Sequence, residues 1–92
     1  MIRVNCFAKL KEGGSMADVV ENAKKLTEAS LKHKGNVAYD IFTSATRPDV
    51  AMICETWQDA EALKAHMATP EFKLYVGNIE KSAEMKIEQF NF

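Results

Sequence analysis

A chain of 92 residues has room for one core, so a single domain is expected over residues 1–92, and a chain this short buries little surface by itself. A hydrophobic fraction of 47% and a charged fraction of 27% are ordinary for a folded chain and exclude disorder. With 12 basic and 13 acidic residues spread along the chain and a net charge of -1, there is no positive footprint for a phosphate backbone, which excludes nucleic acid as a partner.

Residues 2 to 10 alternate. Ile2, Val4, Cys6, Ala8 and Leu10 fall on one side and Arg3, Asn5, Phe7 and Lys9 on the other, which reads as a strand with one apolar and one mixed face. Gly13-Gly14 interrupts it, and Ser15 with Asp18 three residues later can take up the free amides of a helix start. From Met16, Val19, Val20, Ala23, Leu26 and Leu31 recur at helical spacing, so the helix is expected to run to about His33, with Lys34-Gly35-Asn36 closing it. His33 then reads as a surface residue at the negative end of the helix.

Val37 to Thr43 and Val50 to Trp57 read as strands joined by a proline-bearing loop, close enough to pair as an antiparallel hairpin. In the first, Tyr39 and Ile41 share a face opposite Asp40 and Phe42; in the second, Ile53, Glu55 and Trp57 share a face opposite Met52, Cys54 and Thr56. Helix formers follow from Asp59 to Ala65 and end near His66. Thr69 caps a new start with Pro70 at the first helical position, where its missing donor costs nothing, and Phe72, Tyr75, Val76 and Ile79 make the apolar stripe. Ala83 to Phe92 is the last strand.

The resulting order, βαββαβ with an interrupted second helix, is that of a ferredoxin-like α+β fold: a four-stranded antiparallel sheet with its helices on one face. The other face is left open, and a homodimer that closes the two sheets into an α+β barrel is the expected cover. The N-terminal residues lack a basic segment followed by an apolar run, and no stretch approaches membrane length, so a cytoplasmic protein with no membrane contact is expected. Cys6 and Cys54 stand in no CxxC pair and at no metal-ligand spacing, so they read as buried thiols, with no metal site.

Glu55-Thr56-Trp57, Asp59-Ala60-Glu61-Ala62-Leu63 and Ala65-His66-Met67-Ala68-Thr69-Pro70-Glu71-Phe72, set in this order of elements, resemble the antibiotic biosynthesis monooxygenase family, and most of all its quinol monooxygenase-like branch. The resemblance is close over these residues and elsewhere extends to element order. It implies small dimeric chains with a dimeric α+β barrel, and relatives that include cofactor-independent oxygenases of phenols, haem-degrading oxygenases and an isomerase of a phosphorylated dione. Asn5 stands where the haem-degrading branch has its asparagine. His66, however, occupies that branch's tryptophan position and Val76 its axial-ligand position, which argues against haem.

The resemblance therefore implies a monooxygenase that needs no cofactor and oxidises a quinol or another hydroxylated aromatic with molecular oxygen. An electron-rich phenol, once deprotonated, can itself reduce oxygen, so the protein need supply only a base, a stabilised oxyanion and a dry pocket. On this reading His66 takes the proton, Glu55 pairs with it and sets its tautomer, and Asn5 steadies the oxyanion. Trp57 and Phe7 hold the ring, and Arg3, Tyr39, Phe42 and Phe72 complete the pocket. The alternatives are a non-catalytic dimeric module that binds a small ligand, and an isomerase of a small carbonyl compound, for which Arg3, Lys9 and Arg47 are the available cations.

Overall fold

Each helix begins where a short polar side chain can accept from an otherwise free amide. Ser15 Oγ accepts from Asp18 N at 3.2 Å, Asp59 Oδ1 from Ala62 N at 2.8 Å, and Thr69 Oγ1 from Phe72 N at 3.3 Å. The computed structural model describes residues 1–92 and contains β1 (Ile2–Leu10), α1 (Met16–Ser30), β2 (Asn36–Thr43), β3 (Val50–Trp57), α2 (Ala60–Met67), α3 (Pro70–Glu80) and β4 (Ala83–Asn91). The strands form one antiparallel sheet in the order β2-β3-β1-β4, which is the expected ferredoxin-like α+β arrangement.

Register decides which residues share a face. Val4 stands opposite Glu55, Cys6 opposite Ile53 and Ala8 opposite Ala51, and these buried residues face the helices. Asn5 stands opposite Cys54, Phe7 opposite Met52 and Arg3 opposite Thr56, on the other face. Leu26 of α1 and Ile79 of α3 are fully buried on the helix side with Val19 and Ala23. Burial of a side chain such as Leu26 or Ile79 contributes about 1.5–3 kcal/mol each.

α1 stops at Ser30, three residues short of the expected His33. Successive turns replace its last stretch, with His33 N donating to Ser30 O at 3.0 Å and Asn36 N to His33 O at 3.1 Å. Gly35, at φ 82, reverses the chain in a conformation that side-chain-bearing residues rarely adopt, and a Cβ there would collide with Ala62 Cβ of α2. The close approach of this turn to α2 turns His33 inward.

The expected interruption lies between α2 and α3. Thr69 Oγ1 donates to the freed carbonyl of His66 at 2.7 Å, and Pro70 takes the first position of α3. In α3 only Ile79 of the expected stripe is buried, with Phe72, Tyr75 and Val76 half-buried above the sheet.

Cys6 is buried on the helix side, whereas Cys54 is half-buried on the opposite face, so the two thiols cannot bond to each other. The open face carries Phe42 and Phe90, 50% and 52% exposed, among Lys9, Lys86, Glu84 and Glu88. No helix is long and apolar enough to cross a membrane.

Candidate active site

Between the helix side of the sheet and the α2–α3 pair lies a cavity of about 230 Å³. Its wall is mostly apolar, with Ile53, Leu63, Phe72 and Met85 among its residues, and Tyr39 and Glu55 bring polar groups to it. Glu80, Gln89 and Ile87, the last 64% exposed, stand where it opens over β4. No basic residue lines it.

Glu55 is there because β3 alternates, placing it beside Ile53 and Trp57 on the buried face, with Val4 and Tyr39 opposite it on the neighbouring strands. Its Oε1 accepts from the indole Nε1–H of Trp57 at 2.8 Å, a contact made two residues along one strand. Burial pushes the carboxyl from 4.5 up to about 7, and the indole hydrogen bond holds it back from rising further. A carboxyl of this kind changes protonation near neutrality, as acid–base chemistry requires. Burial also raises the phenol of Tyr39 above its ordinary value, so it stays protonated as a donor. Burial, followed by the charge of Glu55, pushes the Cys6 thiol up to about 12, which removes it as a nucleophile.

His66 is 1% exposed and stands behind the cavity wall. The tilted ring of Trp57 packs on it at 4.5 Å between centroids, and Phe72 meets it edge-on at 5.0 Å. Its Nε2 has no hydrogen-bond partner and lies 3.9 Å from Glu55 Oε1, too long for a hydrogen bond. Its Nδ1 is hydrogen-bonded instead to His33 Nδ1 at 2.9 Å, and His33 Nε2 in turn to Glu71 Oε1 at 2.7 Å. Burial, and then the neighbouring His33, lowers His66 to about 4, so the imidazole is neutral at physiological pH. The bond from His33 holds Glu71 below the usual carboxylate range.

The residues expected to work together therefore divide. Glu55, Tyr39 and Phe72 line the cavity, and His66 and Trp57 back it. Asn5, Phe7, Arg3 and Phe42 do not join them: the register of β1 and β2 against β3 sends all four to the open face. Within the chain Asn5 is not an oxyanion partner within reach of His66, because the sheet itself stands between them. Arg3 is engaged on that face, where its Nε donates to Thr56 Oγ1 at 2.9 Å. Lys9 also faces that way and Arg47 lies in the β2–β3 loop, so the cations an isomerase of an anionic carbonyl would need are absent from the cavity.

His33 corrects a second expectation. Its side chain is 15% exposed and bonded at both nitrogens, so it is not a free surface group at a helix end. Glu71 escaped notice as well. The available signal was that the chain has 2 histidines, one of them two residues before a glycine able to turn the backbone inward.

The family model for antibiotic biosynthesis monooxygenase matches residues 1–78. YcnE of Bacillus subtilis (strain 168), whose description as a monooxygenase is provisional, is 28% identical over 76 residues, covering 83% of this chain and 79% of its own. The crystal structure of a conserved Bacteroides thetaiotaomicron protein of unknown function, described as a possible oxidoreductase, superimposes with a TM-score of 0.94 at 53% identity, covering 99% of this chain and 96% of its own. SnoaB of Streptomyces nogalater, a cofactor-independent oxygenase, has the same fold at a TM-score of 0.88 and 12% identity, with 99% and 91% of the two chains covered. Since the family match takes in both β3, which carries Glu55, and α2, which carries His66, the chain belongs to the antibiotic biosynthesis monooxygenase family and is a monooxygenase in its general reaction class.

Proposed function

We propose that the protein is a cofactor-independent monooxygenase of the quinol-oxidising type, acting on a single-ring quinol or hydroxylated aromatic with molecular oxygen. The observation that carries this reading is Glu55: an acid–base group poised near neutrality on the wall of an apolar cavity. In its ionised form Glu55 takes the proton of a substrate hydroxyl. The resulting anion is electron-rich enough to reduce oxygen, one atom of which enters the ring while the other leaves as water with two substrate hydrogens. The role first given to His66 passes to Glu55, because the carboxyl borders the cavity and the imidazole does not.

Size supports a small substrate. A cavity of about 150 Å³ accommodates benzene, so 230 Å³ suits a substituted ring better than a fused polycycle. Tyr39 and Phe72 offer aromatic walls.

The open face completes the proposal. Exposed Phe42 and Phe90 stand among charges of both signs, Lys9 and Lys86 with Glu84 and Glu88, so the face is suited to meeting a second copy of itself. Light scattering at micromolar concentration should give a homodimer; a monomer would overturn that part. For the reaction, oxygen uptake is measured on a panel of one-ring and fused-ring quinols with no cofactor added. Uptake confined to the small quinols and lost in Glu55→Gln is expected. Silence across the panel would overturn the quinol-type substrate.

A further inference from the structure

The histidine behind the cavity wall is not isolated. Glu71 on α3, His33 in the turn after α1 and His66 at the end of α2 are joined by hydrogen bonds of 2.7 and 2.9 Å, with His33, more than thirty residues away in sequence, bridging the ends of two successive helices. Exposure falls along that line from 35% at the Glu71 side chain to 15% at His33 and 0% at His66, so one end touches solvent and the other is sealed. Beyond the sealed end stands Glu55 Oε1, 3.9 Å from His66 Nε2.

We propose that Glu71, His33 and His66 form a proton-carrying chain that connects the Glu55 carboxyl to solvent. This use of the chain rests on Glu55 being the group that takes the substrate proton. A bound substrate fills the cavity in front of Glu55, and the chain behind it lets the carboxyl exchange protons with solvent while the anion reacts.

The polarity of the chain follows from its ends. Ionised Glu71 can only accept, so His33 Nε2 carries a hydrogen and a neutral His33 presents a bare Nδ1. That nitrogen requires a hydrogen on His66 Nδ1, which leaves His66 Nε2 as a bare lone pair directed into the interior. An unpartnered buried nitrogen costs stability, and here it is the atom nearest Glu55.

The transfer is balanced without any further reactant. The Glu55 O–H bond breaks as His66 Nε2–H forms, His66 Nδ1–H is passed to His33 Nδ1, and His33 Nε2–H is passed to Glu71 and then to water. The proton that leaves while the anion reacts returns along the same path to complete the water product, which restores the starting tautomers, so over a turnover no proton is lost through the chain and no electron moves. The step from Glu55 requires its carboxyl to approach His66 by about 1 Å, within the reach of a side-chain rotation. The titratable groups packed around His66 are Glu55 from β3, Tyr39 from β2, His33 from the turn and Glu71 from α3.

With 2 histidines in the chain, their four ring nitrogens can be resolved by nitrogen-15 NMR of the intact, unliganded protein at pH 8. His66 should be protonated at Nδ1 and bare at Nε2. In His33→Phe, which keeps a ring beside Trp57, the His66 Nε2 signal should move toward the protonated range. Glu71→Ala, a partly exposed change that leaves the core intact, should shift it in the same direction. Glu71→Gln keeps an acceptor for His33 and should restore the tautomer, yet its amide cannot take up a proton, so kcat on an active quinol should fall roughly tenfold with KM unchanged. A His66 protonated at Nε2 in the unaltered protein, or one indifferent to both His33→Phe and Glu71→Ala, would overturn the chain. Undiminished kcat in Glu71→Gln would overturn its proton-carrying role. Absence of oxygen uptake with the expected tautomers would instead overturn the proposed reaction and leave the chain standing.

Discussion

On the helix side of β1 and β3, Val4, Cys6, Ile53 and Glu55 are buried, while one residue along in each strand Asn5, Phe7, Met52 and Cys54 are half-buried on the open side. The polar residues of the two faces consequently differ in kind. Asn5 remains partly open to solvent and its amide keeps ordinary chemistry, whereas Glu55 has lost its water and its acidity has changed with it. Burial, rather than residue type, separates a face that changes a group's chemistry from one that leaves it unchanged.

The sharpest test of that contrast is a pair of substitutions. Glu55→Gln should lower kcat/KM for oxygen uptake by about 10²- to 10⁴-fold, as expected for loss of a positioned proton acceptor. Asn5→Ala should stay within about threefold on the same assay, since it lies across the sheet from the cavity. Equal losses would break the division between faces.

Stability against pH provides the next test. Glu55 is raised from 4.5 to about 7, so the folded state holds its proton more tightly, and its contribution falls as pH rises through that window. His66 is lowered from 6.5 to about 4, so the unfolded state holds that proton more tightly, and its contribution rises with pH over the range 4 to 6.5. The two slopes oppose one another. Glu55→Gln should therefore uncover a stability that increases between pH 4 and 6.5, and His66→Phe one that decreases between pH 4.5 and 7, each by about 3 kcal/mol at most. Urea titrations across pH measure both.

Smaller effects are expected at the edges of the two regions. Trp57→Phe keeps an aromatic ring but removes the indole donor that stabilises ionised Glu55, so the Glu55 carboxyl should titrate higher still, read from its carbon-13 shift. Phe42→Ala on the open face should change the stability of the folded monomer by only about 0.5 kcal/mol while weakening self-association, measured by sedimentation.

Much of the fold was legible because its signals are local. Alternation in residues 2 to 10, the caps at Ser15 and Thr69, and the Pro70 restart each act within a few residues, and the strands and helices fall where they indicate. The site was less legible because it depends on which face meets which. Asn5 and Glu55 both sit on strands with a mixed or interrupted pattern, and only the register, Val4 rather than Asn5 opposite Glu55, places them on different sides. His33 was hidden for another reason. Its burial comes from a turn at Gly35 and the approach of Ala62, a contact between segments that no local pattern records.

The break at Thr69-Pro70 has a consequence in angle. Along an uninterrupted helix, successive residues turn by about 100°, so positions 66 and 71 would point about 140° apart. With the axis broken between them, His66 at the end of α2 and Glu71 at the start of α3 both reach the same imidazole of His33. Inserting one residue between Pro70 and Glu71 would swing the carboxylate by about 100° about the axis of α3 and point it away from His33. The interruption thus acts as a joint that aims two helix ends at a single point.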